Sequence, residues 1–420
     1  PSIKEYLHET ATEYGVFDKI RFGVKITRSE FDTSRGLWTF HTLNEKTGET
    51  GTVKAKFALM CTGYYKYDQG YTPDFPDMDS FEGTIIHPQH WPENLDYSGK
   101  RVVVIGSGAT AATLVPAMAD KAGHVTMLQR SPTFYGPVSS VDKLSKFLSA
   151  ILPDKLAFQL TRLHHIWVQR LTYTRSMNKP LKMRKLLLDK AQKALQGKVD
   201  MKHFEPAYNP WEQRLCAIPD EDLFKVLREG DASIVTDHVD RFTKTGIQLK
   251  SGQHLDADII ISATGLNMEL FSGMDIFVDG EEKKPGERLT YKSLMLEDVP
   301  NLAFIMGYVN ASWTLKVDIA LDYLIKLMNT MQANGTDIAV PRANNVALDQ
   351  GNVFGHLSSG YVARAQGKMP KQGMEAPWRV THDYKFDKVM LTEWPVEDGN
   401  LEFTRSRSNV VPLPEQVAAE

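Results

Sequence analysis

The chain has 420 residues, 42% of them hydrophobic, and its 49 Lys plus Arg against 52 Asp plus Glu leave a formal charge of −3. That length can bury more than one core, and so small a net charge implies no nucleic-acid partner for the chain as a whole. No apolar run reaches the 18 residues of a membrane span, and two cysteines, Cys61 and Cys216, exclude a disulfide framework and a four-cysteine zinc site, so a cytoplasmic protein is expected.

In chain order, Ile3 to Tyr14 has the spacing of an amphipathic helix. An apolar strand (Ile20 to Thr27) follows, then two alternating segments joined at Glu45-Lys-Thr-Gly48, then Lys56 to Gly63. The same plan recurs from Ser233 to Gly265: a short strand, Val239 to Phe242, Thr245 to Leu249, a Ser251-Gly252 turn, and Asp258 to Gly265. Only the later copy has a Gly-rich turn upstream. The first strand–turn–helix unit of the earlier copy is therefore expected to be missing.

Between the copies, Phe81, Gly83, His87, Trp91 and Pro92 form the pattern F-x-G-x-x-x-H-x-x-x-W-P. Arg101 to Ile105 then reads as a buried parallel strand entering Gly106-Ser107-Gly108-Ala109-Thr110-Ala111, with a helix to Ala119 and a second strand from His124 to Leu128. Glycines there allow a tight turn and close backbone approach, and the helix N-terminus can face a pyrophosphate. Where a site for NAD carries an acidic residue, this chain has Gln129-Arg130-Ser131. A guanidinium beside a hydroxyl suits a 2′-phosphate, so NADPH is the expected nucleotide.

From Ser139 to about Met201, apolar residues recur at helical spacing, interrupted by Pro153 and Pro180. Residues 141–200 contain 13 Lys or Arg and 4 Asp or Glu, a net +9. Two readings stay open: a solvated helix face over a core, or a surface that attracts NADPH or an anionic membrane as a peripheral contact. Asn301 to Gly307 reads as a strand, Thr314 to Met331 as a helix and 405–420 as a loose tail. No metal-ligand spacing is present: His164 and His165 are adjacent and point to different sides of a helix.

The 81–92 pattern matches the fingerprint of Baeyer–Villiger monooxygenases at every fixed position. Together with Gly106 to Ala111, Tyr208-Asn-Pro-Trp-Glu-Gln-Arg-Leu-Cys216, Ala263 to Asn267 and Gly307 to Lys316, the chain resembles their ethionamide-activating branch. The resemblance implies an α/β fold with two Rossmann-like dinucleotide-binding domains, for FAD and NADPH, and a helical insertion. FAD-binding residues would be 1–80 and 263–420, the linker 81–97, NADPH-binding residues 98–135 and 215–262, and the insertion 136–214. Since the family holds the FAD pyrophosphate on an N-terminal strand–turn–helix, the chain reads as an N-terminally incomplete member.

The same resemblance implies NADPH reduction of flavin, addition of O2 to give a C4a-peroxyflavin, and oxygen insertion beside a ketone carbonyl or oxidation of sulfides and thioamides. That chemistry needs a cation that cannot lose its proton, and the matching residue is Arg214. Gln213 stands where many relatives have Lys. The backbone of Ile26 would meet the FAD adenine, His87 would couple cofactor binding to domain rotation, and Trp211, Asn310, Ser312 and Trp313 would line the pocket. The alternatives are an N- or S-oxygenating flavin monooxygenase, which Trp91-Pro92 argues against, and an NADPH-binding module without activity.

Overall fold

In the computed structural model, residues 3–213 and 215–407 are described. Helix α1 (Ile3–Glu13) and a 3-10 turn (Phe17–Lys19) precede an antiparallel meander of Val24–Asp32, Leu37–Asn44 and Thr50–Ala55. The expected strand at Ile20 begins four residues later: Gly23 has φ 69°, and the run pairs from Val24 onward with Leu37–Asn44. Strand Asp275–Val278 joins the meander edge in parallel, along Val24–Asp32.

A second sheet is wholly parallel, in the order Ala232–Thr236, His124–Gln129, Arg101–Ile105, Ile259–Ser262, Thr84–Ile86. Both faces of its central strand are covered, which is why Val102, Val103 and Val104 are at most 1% exposed. On one face Val102 and Val104 pack with Ala111 and Val115 of α2 (Ala109–Ala119); on the other, Val103 and Ile105 pack with Phe242 and Ile247 of the meander at 239–256. Small side chains on α2 let it lie close to the sheet.

The insertion forms three helices, α3 (Lys143–Ile151), α4 (Asp154–Asn178) and α5 (Pro180–Leu195). Both prolines sit at helix starts, Pro153 as the N-cap of α4 and Pro180 at the first position of α5, where the missing amide hydrogen does no harm. After it, Cys216–Pro219 pairs with Tyr135–Val138 and α6 (Asp222–Glu229) packs on α2 and α5.

Past Gly265 the chain returns to the first half, where Leu302–Phe304 lies parallel to Ala58–Met60. Leu302, Phe304 and Met60 share a core with Phe31 and Trp38 of the first meander. The Trp38 indole donates to the Pro300 carbonyl at 3.1 Å, so this core also satisfies its polar atom. Helix α7 (Trp313–Ala333), the short α8 (Gly360–Arg364) and α9 (Tyr384–Thr392) complete the layer outside that sheet. Leu401–Thr404 forms a strand on Ile338–Pro341 just before the expected loose tail at 405–420; of that tail, the Ser406 amide donates to Asp337 Oδ1 (2.7 Å) and the Arg407 amide to the Ser34 carbonyl (2.9 Å), and 408–420 lie outside the described residues.

Candidate cofactor cleft

The Gly-rich turn sits at the C-terminal end of the parallel sheet. At Gly106 φ is 142°, and a Cβ built there would lie 2.3 Å from the Ala263 carbonyl oxygen, so only glycine lets the turn pass the neighbouring strand. Gly108 caps α2 without a side-chain bond, and a Cβ there would meet nothing within 4 Å. Gly108, Ala109 and Thr110 are exposed, which leaves the first amides of α2 open to an anion, whereas Ile105 and Ala111 are buried packing residues. The residues present fit a dinucleotide pyrophosphate.

The turn and the loop after the second strand are held as one unit. Ser107 Oγ donates to the Ser131 carbonyl (3.2 Å) and accepts from Thr133 Oγ1 (2.9 Å), while the Tyr135 hydroxyl donates to the Ser107 carbonyl (2.8 Å). Arg130 and Ser131 are exposed there, and Arg130 has no ion pair among the described residues. Gln129 departs from the expected cofactor contact. Its fully buried side chain turns inward and donates to the His203 carbonyl (2.7 Å) and Thr236 Oγ1 (2.8 Å), because strand alternation points it away from the turn surface. Burial, reinforced by Lys202, pulls the His203 imidazole below its ordinary pKa and favours its neutral form.

The fingerprint residues tie the two halves together. Phe81 packs under Val103, Leu128 and Phe242, and a Cβ on Gly83 would strike the Asp258 carbonyl oxygen at 2.5 Å. Beyond the edge strand Thr84–Ile86, His87 Nδ1 accepts from the Gln89 amide (3.2 Å), which leaves Nε2 to carry the proton and donate to the Gly265 carbonyl (3.1 Å). Gly265 is where the chain crosses from the parallel sheet back to the first half. Gly70 closes over the same imidazole so tightly that a Cβ there would overlap it. Trp91 is half-buried against the α2 core, and Pro92 is exposed, its carbonyl accepting from the Leu95 amide at 3.3 Å.

Two residues of this crossing carried no legible sequence signal. Arg364, at the end of α8, lies with its guanidinium 3.5 Å from the centre of the Tyr71 ring, and Nη2 donates to the Leu266 carbonyl (3.1 Å). Burial pulls its pKa below the ordinary guanidinium value, and Tyr71 offsets part of that cost.

Arg214 lies outside the described residues, but the loop leading to it is firmly held. Glu212 accepts from the Asn209 amide (3.0 Å) and Asn209 Nδ2 (2.9 Å), and the Glu212 carbonyl accepts from the amide and hydroxyl of Ser358 (2.8 and 2.9 Å). These bonds hold Trp211 at φ 74°, a conformation that costs about 1–3 kcal/mol. Its ring meets Tyr173 of α4 edge-on at 5.4 Å, and Tyr173 reaches Asn310 in the loop before α7. Trp211, Asn310 and α4 are thus brought together, whereas Trp313 packs against Tyr64 (5.1 Å) over Gly307, and Ser312 turns to Thr314 at the N-terminus of α7.

For a flavin dinucleotide the described residues present the strand-end glycines Gly63 and Gly307 and the α7 N-terminus. Among them is no second Gly-rich strand–turn–helix for its pyrophosphate. Ile26 is half-buried at a β-bulge of the first meander, with its backbone still paired to Thr42.

Residues 1–295 match the family model described as FMO-like, flavin-binding monooxygenase-like. The chain is 50% identical over 410 residues to a probable FAD-binding monooxygenase, AlmA, of Acinetobacter baylyi, which covers 97% of this chain and 82% of that protein. It is 45% identical over 412 residues to the FAD-containing monooxygenase EthA of Mycolicibacterium smegmatis, 98% of this chain and 83% of that one. In fold it is similar to an oxidized steroid monooxygenase bound to NADP, with a TM-score of 0.75 at 19% identity over 96% of this chain and 84% of the other. The chain with this glycine cradle and this histidine-tied crossing belongs to the FMO-like family of flavin-binding monooxygenases, and is an oxidoreductase.

Proposed function

We propose that the protein is an FAD- and NADPH-dependent Baeyer–Villiger monooxygenase that inserts one oxygen atom of O2 beside a ketone carbonyl, giving an ester, and that oxidises sulfides or thioamides. The observation that carries this reading is His87. A fingerprint residue placed 3.1 Å from the carbonyl of Gly265, at the crossing between the two halves, couples the NADPH cradle to the flavin side. Bound flavin would supply the oxygen-activating chemistry. The chain's own part is to hold the nicotinamide nucleotide on α2 and the Ser107–Ser131 unit, to keep the cleft shut through the Trp211–Tyr173–Asn310 contact, and to present Arg214 as the fixed cation.

A purified protein with a flavin absorbance spectrum should consume NADPH in a ketone-dependent way with one ester formed per NADPH. Sulfoxide formation without any ester would instead support the N- or S-oxygenating reading, and a colourless protein that binds NADPH would support the binding module. Arg130 gives a sharper test of cofactor choice. Arg130→Ala should raise the KM for NADPH roughly 10- to 100-fold, the worth of one charge-assisted contact, and leave the KM for NADH unchanged. An equal rise for both nucleotides would remove the 2′-phosphate assignment.

No described helix is long and apolar enough to cross a membrane. The basic insertion adds to this reading a peripheral contact with anionic lipid.

A further inference from the structure

The chain passes between its halves twice, and the two passes run side by side. Residues 62–72 lead away from strand Ala58–Met60, and residues 263–269 lead back from Ile259–Ser262. They are joined antiparallel: the Glu269 amide donates to the Tyr64 carbonyl (3.0 Å), Tyr65 bridges to Met268, and the Lys66 and Tyr71 amides donate to the carbonyls of Asn267 (2.9 Å) and Gly265 (3.0 Å). Side chains fasten the far end, where Thr264 Oγ1 donates to the Tyr71 carbonyl (2.5 Å) and Asn267 Nδ2 to the Gly70 carbonyl (3.2 Å). Gly265, at φ 115°, gives the pair a residue that can turn without Cβ strain. A change of angle between the halves has to bend this pair, because hinge motion is absorbed by a few residues of the connecting segments.

Arg364 lies across both passes. Its helix, α8, is anchored on the flavin side, where Val362 and Ala365 share a core with Met60 and Phe304. From there the guanidinium covers the Tyr71 ring of one pass at 3.5 Å, and Nη2 donates to the Leu266 carbonyl of the other at 3.1 Å. No carboxylate pairs with it among the described residues, and its Nε is buried without a hydrogen-bond partner. A half-buried cation that lacks a counter-ion and leaves one donor unsatisfied is a poor source of stability. What its position provides is a simultaneous grip on both passes, and a planar guanidinium suits that task because its face meets a ring while its edge meets a carbonyl.

We propose that Arg364 is a positioning residue that locks the paired passes at one bend, through the Tyr71 ring and the Leu266 carbonyl, and so sets how the nucleotide-binding half lies against the flavin side. This rests on the two-cofactor reading above and assigns the angle between the halves to one side chain. His87 and Arg364 then hold neighbouring carbonyls of the returning pass, Gly265 and Leu266, from the two sides of the crossing.

Hydrogen exchange of the full chain reads the lock directly. In Arg364→Met, which keeps the stem, the amides of residues 64–72 should exchange about tenfold faster, while those of Val102 to Ile105 and Leu302 to Phe304 keep the parent rate. Tyr71→Leu should do the same, and joining it to Arg364→Met should add nothing further, since each removes the same contact. Function should split. The dissociation constant for NADPH, read from nucleotide fluorescence, should stay within about threefold because the Gly106 cradle lies in the parallel-sheet half, whereas a larger share of NADPH should pass with a proton and O2 to NADP+ and hydrogen peroxide in place of ester. Arg364→Lys, which keeps the charge over the ring, should recover part of the ester. Unchanged exchange at 64–72 overturns the proposal, and so does exchange that accelerates throughout the chain, which would make Arg364 a general stabiliser. NADPH affinity and ester lost in equal measure would make it a nucleotide ligand and overturns it as well. Absence of ester in the parent protein would remove the oxygenase reading, and the exchange result would still decide the lock.

Discussion

Replacing Arg214 by alanine is expected to lower ester formation by about 10²- to 10³-fold in kcat, the range seen when one preorganised donor to a developing anion is removed. The oxygen that attacks a ketone carbonyl carries negative charge, and a side chain that stays protonated at every working pH stabilises that charge without giving up a proton. The effect should fall on kcat, with the KM for NADPH changed by less than about threefold, because the charge appears at the reacting centre and not at the pyrophosphate. Arg214→Lys should recover part of the rate, since it keeps the charge and loses the planar fork. Glu212, two residues before Arg214, is held by Asn209 and Ser358. A variant that loses NADPH binding and ester formation in equal measure would make Arg214 a cofactor ligand instead.

Much of the nucleotide-binding half was legible because its constraints are local. Val102 to Ile105 must be buried on both faces, Gly106 must have φ 142°, and α2 must begin at an uncapped glycine, and each demand leaves its mark within a dozen residues. The repeat was legible for a similar reason, since a meander returning to a parallel strand imposes alternation and turn residues at fixed places. Its strand at Ile20 was misplaced by four residues because apolar composition does not show which residues find a pairing partner, and pairing starts at Val24.

The cleft itself was legible only in part. Gln129 occupies a strand-end position that sequence reasoning gives to the cofactor, yet its amide is used to hold the His203 segment, a contact between residues 74 apart. Arg364 and Tyr71, on opposite sides of the crossing, are joined only by the fold. Nothing in the sequence singles out Tyr173 of the helical insertion, and its contacts with Trp211 and Asn310 arise only once α4 is packed. Such long-range polar contacts carry no periodicity, which is why pattern reading passes over them. The helical insertion shows the converse: its charge was plain in the sequence, but whether its apolar residues face inward or outward became visible only once α3 and α4 were packed.

The second large effect is expected on stability, at a pair with no counterpart in the sequence reading. Lys316 of α7 and Asp387 of α9 are each 2% exposed, with Nζ 2.8 Å from Oδ2, and Asp387 Oδ1 also accepts from Thr381 Oγ1 at 2.6 Å. Asp387→Ala leaves an ammonium buried without its carboxylate, a change that costs about 3–5 kcal/mol, much of any single-domain stability. Equilibrium urea unfolding should show the transition of the half containing α7 and α9 shifted by that amount, with the parallel-sheet half much less affected. The double change Lys316→Met/Asp387→Leu removes both charges and keeps the volume, so it should recover most of the loss. Recovery in the double variant separates the cost of an orphaned charge from the loss of a favourable bond. Because Lys316 lies one turn along α7 from Trp313, the single variant should also loosen the helix start that faces the cleft, seen as an ester yield per NADPH that falls before the fold is lost.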